Sequence, residues 1–465
     1  MSITTSPQQT GSIFSRNAVI LLLDIILFFI LLKTLPFDVK ANKGLALLVF
    51  IGVLWLTEAL HVTITALLVP VLAIALGLVT TKNALVGFAD PTIFLFFGGF
   101  ALAAALHIQE LDKLIANKIM ALARGKLFLA VIYLFSVTAF LSMWMSNTAT
   151  AAMMLPLAMG ILSKLDRIQY HNTYVFVLLG IAYSASIGGM GTLVGSPPNG
   201  IVASNLHLSF SDWMQYGIPV MLLLMPIMIG TLYVILKPKF KSTFEHKFES
   251  IPMNKQRVVT LVIFTAIALC WIFSSRVNPL LAGLFGLEGK IASFDSLVAL
   301  SAAIILCASK VVTWRQIQDN TEWGVLMLFG GGLTLSSVLG QTGASKIMAD
   351  GIVSLIQGGH FYIIGLVVAT FIVFLTEFTS NTAAAALLVP IFISIAEAIG
   401  VPPIGLALII GFGASCAFML PVATPPNAIV FGSGQIKQSE MVKVGIWLNI
   451  MCILLIATIG YLFWL

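Results

Sequence analysis

The sequence SNTATAAMMLP at residues 146–156 returns as SNTAAAALLVP at residues 380–390, and this pair decides the fold. The matched residues include Ser, Asn, Thr and Pro, so the similarity is more than a shared apolar composition. Each copy lies between two apolar runs that together span roughly 40 residues, twice the length that one crossing of the bilayer needs. Two half-length helices that meet at the Ser-Asn-Thr motif would return the chain to the side it came from. The sequence therefore predicts two re-entrant hairpins, near residues 126–165 and 360–398.

Two further blocks repeat in the same order. FGG at 97–99 returns as FGG at 329–331, and GSPPN at 195–199 returns as ATPPN at 423–427. Each block and its copy are separated by roughly 230 residues, which indicates one internal repeat. By the predicted segment count, five crossings lie between equivalent points, and an odd number turns the second copy upside down. The pattern is typical of the inverted-topology repeats of secondary transporters.

Composition points to a membrane protein. Hydrophobic residues make up 59% of the 465 residues and charged residues only 9%, with a mean hydropathy of +1.05. Soluble domains carry about 25% charged residues, so the composition excludes a soluble fold. It predicts an all-α polytopic membrane protein with eleven transmembrane helices besides the two hairpins. The predicted crossings lie near residues 17–36, 43–60, 62–80, 91–108, 172–206, 216–236, 257–274, 293–310, 321–341, 402–434 and 440–464.

The distribution of basic residues predicts the orientation. With the N-terminus placed in the cytoplasm, 17 of the 24 Lys and Arg residues fall on the inner side and seven on the outer side. This bias predicts a multi-pass protein of the cytoplasmic (inner) membrane with its C-terminus outside. The net charge of +6 follows from this topology, so nucleic-acid binding is an unnecessary hypothesis. Residues 1–15 are polar and are predicted to be a cytoplasmic tail.

The repeated motifs carry groups that suit both an anion and a cation. A hairpin turn exposes the backbone N–H groups at the start of its returning helix, and these favour an anion. Backbone carbonyl and Asn oxygens around the same turn are hard ligands for an alkali cation. Paired prolines at 197–198 and 425–426 are predicted to break two long helices, because proline has no N–H and clashes with the preceding turn. No Lys or Arg lies within the four motifs, which favours uptake of an anion together with cations.

The other chemistry-bearing residues are isolated in the sequence. The four cysteines lie in apolar runs without metal-ligand spacing and the six histidines stand singly, so neither a metalloenzyme nor any other enzyme is predicted. Glu377, three residues before the second Ser-Asn-Thr, is expected to tune the site, relay a proton or fix the hairpin by hydrogen bonds. Asp24, Glu58 and Asp90 are expected to be interfacial or structural.

These motifs resemble those of the divalent anion:sodium symporter (DASS) family, the INDY-type dicarboxylate transporters. The most specific match is ASCAFMLPVATPPNAIV at 414–430, and both Ser-Asn-Thr motifs are intact. The resemblance covers nearly the whole chain and implies a homodimer in the lipid bilayer that works as an elevator. The implied division is a scaffold domain at 16–125 and 257–358, a transport domain at 126–240 and 359–465, and a cytoplasmic loop at 241–256.

The resemblance also implies the ligands and the residues that bind them. Co-transported sodium ions would lie in two sites, one among Ser142, Ser146, Asn147 and Gly195 and the other among Thr376, Thr379, Asn381 and Ala423. Carboxylates of a small-molecule dicarboxylate would meet Asn147, Thr148, Ser196, Asn381, Thr382, Thr424 and Pro425. Thr379 stands where a small residue such as Ala is expected. The second ion site therefore depends on whether its side chain intrudes or only its carbonyl is used.

The function expected from the resemblance is import of C4-dicarboxylates such as succinate, malate and fumarate, driven by the sodium gradient. Two alternatives stay open within the same fold: a sodium-independent exchanger of dicarboxylates, and a sodium symporter for citrate or sulfate. Transport assays with and without sodium, and with competing anions, separate the three.

Overall fold

The computed structural model describes residues 15–163, 165–240, 251–356 and 360–465. The predicted tail up to residue 14, Lys164, most of the predicted loop at 241–256 and the second junction between predicted scaffold and transport segments lie outside the described residues. All regular secondary structure in the described part of the chain is helical. An all-α fold is therefore confirmed for these residues.

The α-helices of the described residues fall into two sets of eleven. The first set is α1 Arg16–Thr34, α2 Val39–Thr57, α3 Val62–Ala75, α4 Thr81–Val86, α5 Pro91–Ile108, α6 Leu111–Ala121, α7 Leu127–Ser142, α8 Asn147–Leu162, α9 His171–Gly189, α10 Pro197–Leu206 and α11 Phe210–Leu236. The second set is α12 Lys255–Ile272, α13 Ser274–Leu284, α14 Phe294–Ala308, α15 Trp314–Asn320, α16 Trp323–Thr342, α17 Ala344–Ile356, α18 Phe361–Leu375, α19 Asn381–Ile399, α20 Pro403–Ala414, α21 Pro425–Gly432 and α22 Gln438–Ile459. Within the described residues, nine helical stretches are long and apolar enough to cross a membrane, and the shorter apolar helices are α3, α7, α8, α14, α18 and α20. The count of eleven crossings stays a prediction.

Helices α7 and α8 form the first hairpin, and both of its ends lie at the same end of the bundle. At the start of α7, the ring of Phe128 lies 5.3 Å from the ring of Phe240, just beyond the end of α11. At the end of α8, the carbonyl of Leu162 accepts a hydrogen bond from Tyr174 in the first turn of α9, at 2.7 Å. Phe176 of α9 also lies 5.5 Å from Phe240. The two ends of the hairpin therefore meet the same pair of helix ends.

Helix α22 connects this end of the bundle with the opposite one. Near its start, Glu440 is hydrogen-bonded to His171 at the start of α9, at 2.6 Å. In the turn that continues α22, the ring of Tyr461 lies 5.2 Å from His360 and 5.7 Å from Tyr362, at the start of α18. The 22 residues of α22 rise roughly 33 Å between these points. The second hairpin, α18 and α19, thus begins at the opposite end from the first, which is the inverted arrangement that the repeat predicts.

Two helices are broken as the paired prolines predict. Helix α9 ends at Gly189 and α10 begins at Pro197, while α20 ends at Ala414 and α21 begins at Pro425. In both cases the proline occupies the first helical position, where its missing N–H removes no hydrogen bond. The prolines therefore start new helices after a non-helical stretch instead of kinking a continuous one.

Helices α5 and α16 cross antiparallel in the part of the chain predicted to be the scaffold. Phe97 in the second turn of α5 lies 6.0 Å from the ring of Trp323, the first residue of α16. Further along α16, the hydroxyl of Thr334 donates to the carbonyl of Ala84, which precedes α5 in the chain, at 2.9 Å. The two helices therefore run in opposite directions, and their N-termini lie on opposite sides of the crossing.

Replacing Gly98 by Ala is expected to lower the unfolding temperature of the protein in detergent. A Cβ at this position in α5 would lie 2.3 Å from the carbonyl oxygen of Ala299 in α14, a backbone atom that yields only if the helix moves. Overpacking of this kind costs about 1–3 kcal/mol.

The matched control is Gly230→Ala in α11, where a Cβ would meet no atom within 4 Å. This variant is expected to unfold at the wild-type temperature or slightly above it, because alanine favours a helix. Differential scanning fluorimetry measures both variants. A Gly98→Ala protein as stable as the Gly230→Ala protein would contradict the close packing of α5 on α14.

Candidate functional site

The tips of both hairpins and both helix breaks meet at one cavity of about 470 Å³. Of the residues predicted to bind substrate or sodium, those that line it are Ser146, Asn147, Thr148, Gly195, Ser196, Thr379, Asn381, Thr382, Ala423, Thr424 and Pro425. The other two, Ser142 and Thr376, lie behind the cavity and contact Asn147 and Asn381. The fold therefore brings all the predicted residues to one place, although their roles stay predictions.

Ser142 and Asn147 belong to a cluster of oxygen atoms behind the first Ser-Asn-Thr motif. The hydroxyl of Ser142 lies 2.6 Å from Oδ1 of Asn147 and donates to the carbonyl of Ala185 at 2.7 Å. The same Asn147 atom lies 3.0 Å from the Ala185 oxygen and 3.2 Å from the Gly195 carbonyl oxygen. Such oxygens repel one another unless a cation lies among them or the amide turns its nitrogen toward them. Oxygen ligands in this arrangement suit an alkali cation.

An equivalent cluster lies behind the second motif. The hydroxyl of Thr376 lies 2.5 Å from Oδ1 of Asn381 and donates to the carbonyl of Ala414 at 2.9 Å. The hydroxyl of Thr379 donates to the carbonyl of Leu375 in the turn before it, at 3.0 Å. This bond fixes the hydroxyl of Thr379 against its own segment, and its oxygen keeps lone pairs that can bind an ion, as the carbonyl of the same residue can.

Asparagines close the two helix breaks. The side-chain amide of Asn199 donates to the carbonyls of Gly189 and Thr192, at 2.8 and 2.7 Å. Asn427, its equivalent in the repeat, makes the same pair of contacts across the second break, both at 3.0 Å. Carbonyls that the break removes from helical pairing are thereby satisfied, as a site inside a membrane requires. This explains why the repeated motif ends in Asn after the two prolines.

Glu377 is fully buried and joins the second hairpin to the second break. Its carboxylate accepts hydrogen bonds from the backbone N–H groups of residues 418–420, at 2.8, 2.9 and 3.1 Å. It also accepts one from the side chain of Asn449 in α22, at 2.6 Å. Of the three roles considered for Glu377, these contacts support fixing the hairpin.

Charged side chains enter the cavity only at the ends of two helices in the predicted scaffold. Among the described residues that line it, Glu58 and Glu322 are the only charged ones. Asp24, in contrast, lies buried in α1 and does not line the cavity. Sequence reasoning expects a structural role for Glu58 and misses Glu322. The internal repeat could have identified Glu322. This residue precedes the second FGG motif by seven residues, as Asp90 precedes the first.

Comparison with known proteins shows which family the chain belongs to. A family model described as the sodium:sulfate symporter transmembrane region matches residues 13–465. The chain is 75% identical over 450 residues to an uncharacterized transporter of Haemophilus influenzae, covering 97% of this chain and 98% of the relative. It is 32% identical over 482 residues to the sodium-dependent dicarboxylate transporter SdcS of Staphylococcus saprophyticus, covering 95% and 90%.

A solved structure shows a similar fold. The YdaH transporter of Alcanivorax borkumensis superposes with a TM-score of 0.58 at 13% sequence identity, covering 82% of this chain and 87% of that one. At this identity the similarity concerns the fold alone.

Replacing Glu377 by Ala is expected to lower the unfolding temperature by several degrees. The change leaves three backbone N–H groups and the amide of Asn449 without their acceptor. Each buried donor left unpaired costs about 1–3 kcal/mol. Glu377→Gln keeps one acceptor oxygen, so a smaller loss is expected.

The matched control is Glu397→Ala, an exposed glutamate on α19. Thermal unfolding in detergent, followed by fluorescence, measures the three variants. If Glu377→Ala unfolded at the same temperature as the Glu397 control, the carboxylate would not be what joins the hairpin to the break.

Proposed function

Because the chain belongs to the sodium:sulfate symporter family of divalent anion:sodium symporters, we propose that it is a secondary active transporter that imports C4-dicarboxylates such as succinate, malate and fumarate together with sodium ions. The observation that carries this proposal is a cavity with two oxygen clusters and no Lys or Arg among the described residues that line it. A dicarboxylate brings two negative charges into this cavity. No basic side chain among the described lining residues balances them, so helix termini and bound cations must do so.

Four helices begin at the cavity, and their N-termini favour the anion. They start at Asn147, Pro197, Asn381 and Pro425, next to residues that line the cavity. Each N-terminus acts as about half a positive charge, so the four together offset about two negative charges. The carboxylates at the scaffold side add negative charge that the helix termini do not offset. Sodium ions in the two oxygen clusters would restore the balance.

The proposed movement is that of an elevator in a homodimer of the inner membrane. Both hairpins and both broken helices are tied together; for example, the hydroxyl of Tyr183 in α9 donates to the carbonyl of Phe418 at 2.6 Å. Such ties support their moving as one body against the scaffold. Under the predicted orientation, Glu58 and Glu322 lie on the cytoplasmic side, so the cavity is proposed to open inward.

Asn147→Ala and Asn381→Ala are each expected to reduce sodium-dependent succinate uptake to near background. Each change removes an amide that lines the cavity and belongs to an oxygen cluster. Uptake of radiolabelled succinate into proteoliposomes measures this, with Asn320→Ala on the exposed face of α15 as the control. Substantial uptake by both Asn147 and Asn381 variants would rule out the site assignment.

The same assay separates the proposed function from its alternatives. Uptake that does not depend on sodium and requires dicarboxylate inside the vesicles would identify an exchanger. If sulfate or citrate inhibited succinate uptake, that anion would replace succinate as the proposed preferred substrate. Sulfate is the first competitor to test, since the matching family model is described by it.

Ser142→Ala and Thr376→Val are expected to raise the sodium concentration that gives half-maximal uptake several-fold. Each removes a hydroxyl from an oxygen cluster while the neighbouring Asn remains. Matched controls are Ser136→Ala on α7 and Thr370→Val on α18, whose hydroxyls are exposed and bond only to their own helices. Sodium titration of succinate uptake measures all four. Equal half-saturation in the site and control variants would contradict the ion sites.

A further inference from the structure

The scaffold-side wall of the cavity carries two carboxylates that the proposed symport does not use. Glu58 directly follows α2 and Glu322 directly precedes α16, and both side chains are exposed. A cavity for a dianion would bind it more tightly without them. Their presence therefore calls for a role other than affinity.

Neither carboxylate serves the helix beside it. An acidic residue at a helix start normally accepts a hydrogen bond from the first turn, as Asp90 does from the N–H of Thr92 at 2.8 Å. Glu322 occupies the same position before α16 and makes no such bond. Glu58 ends α2 in the left-handed conformation, with a φ of 49°, where glycine is the usual residue. Both side chains are left to face the cavity.

Glu322 lies in the same cavity as the first Ser-Asn-Thr motif. Its neighbours in the cavity lining include Ser146, Asn147 and Thr148. The hydroxyl oxygen of Ser146 caps α8 by accepting from the N–H of Ala149 at 3.3 Å. The negative charge of Glu322 therefore repels a dianion that is bound at this motif.

We propose that Glu322 promotes release of the dicarboxylate toward the side on which this cavity opens. The inference rests on the proposed function. The negative charge of Glu322 raises the free energy of the bound dianion, so the dianion dissociates faster. The same charge attracts departing sodium ions toward the exit.

The experiment compares Glu322→Gln with Glu322→Asp, which keeps the charge, and with Glu397→Gln on the exposed face of α19. Equilibrium binding of succinate to the purified protein at saturating sodium yields Kd, and uptake into proteoliposomes yields the maximal rate. In Glu322→Gln, Kd is expected to fall about five-fold, the effect of removing one nearby charge at a water-exposed site. The maximal rate is expected to fall with it, because release slows. The Asp variant and the Glu397 control are expected to match the wild type.

Two results would overturn the role of Glu322. One is a Kd in Glu322→Gln that is unchanged or weaker than in the wild type. The other is a raised sodium half-saturation with an unchanged Kd, which would make Glu322 a sodium contact. A wild-type protein that takes up no succinate would overturn the proposed function as well as this inference, and that result is visible before any variant is compared.

Discussion

The structure depends on how non-helical backbone inside a membrane bundle finds hydrogen-bond partners. Lipid offers none, so the protein itself must supply partners for the backbone N–H and C=O groups at every interruption of a helix. Each break is closed by the asparagine of its own Pro-Pro-Asn sequence, and Glu377 adds a second clamp at the second break. Because the breaks and the hairpin tips are fixed in this way, four helix starts are held at one cavity.

The electrostatics of that cavity follow from a lining that has two carboxylates and no Lys or Arg among the described residues. Helix termini and amides attract a dianion, but their partial charges are already opposed by the carboxylates on the scaffold side. Under the proposed function, sodium in the two oxygen clusters becomes part of the anion site. Binding of the ion and of the substrate must strengthen each other by the same factor, since coupling between two ligands is reciprocal. A transporter built like this captures its substrate when sodium is plentiful and releases it where sodium is scarce.

Much of this arrangement could be predicted from the sequence, because it is encoded in polar residues that repeat. The hairpins follow from Ser-Asn-Thr between two apolar runs, and the breaks follow from the paired prolines. The oxygen atoms of Ala185 and Ala414 could not be found, because a backbone carbonyl has no signature in the side chain that accompanies it. Glu322 was missed for another reason. At the end of an apolar helix it resembles an interfacial charge, and only the antiparallel crossing of α5 and α16 brings it to the cavity.

The most direct test of the central claim is calorimetric titration of succinate into the purified wild-type protein at a series of sodium concentrations, with choline keeping the ionic strength constant. The account predicts that binding is undetectable in choline and that Kd falls steeply as sodium rises, until the ion sites are filled. The same Kd in choline and in sodium would contradict it, because a cavity with no Lys or Arg among its described lining residues would then hold a dianion without sodium.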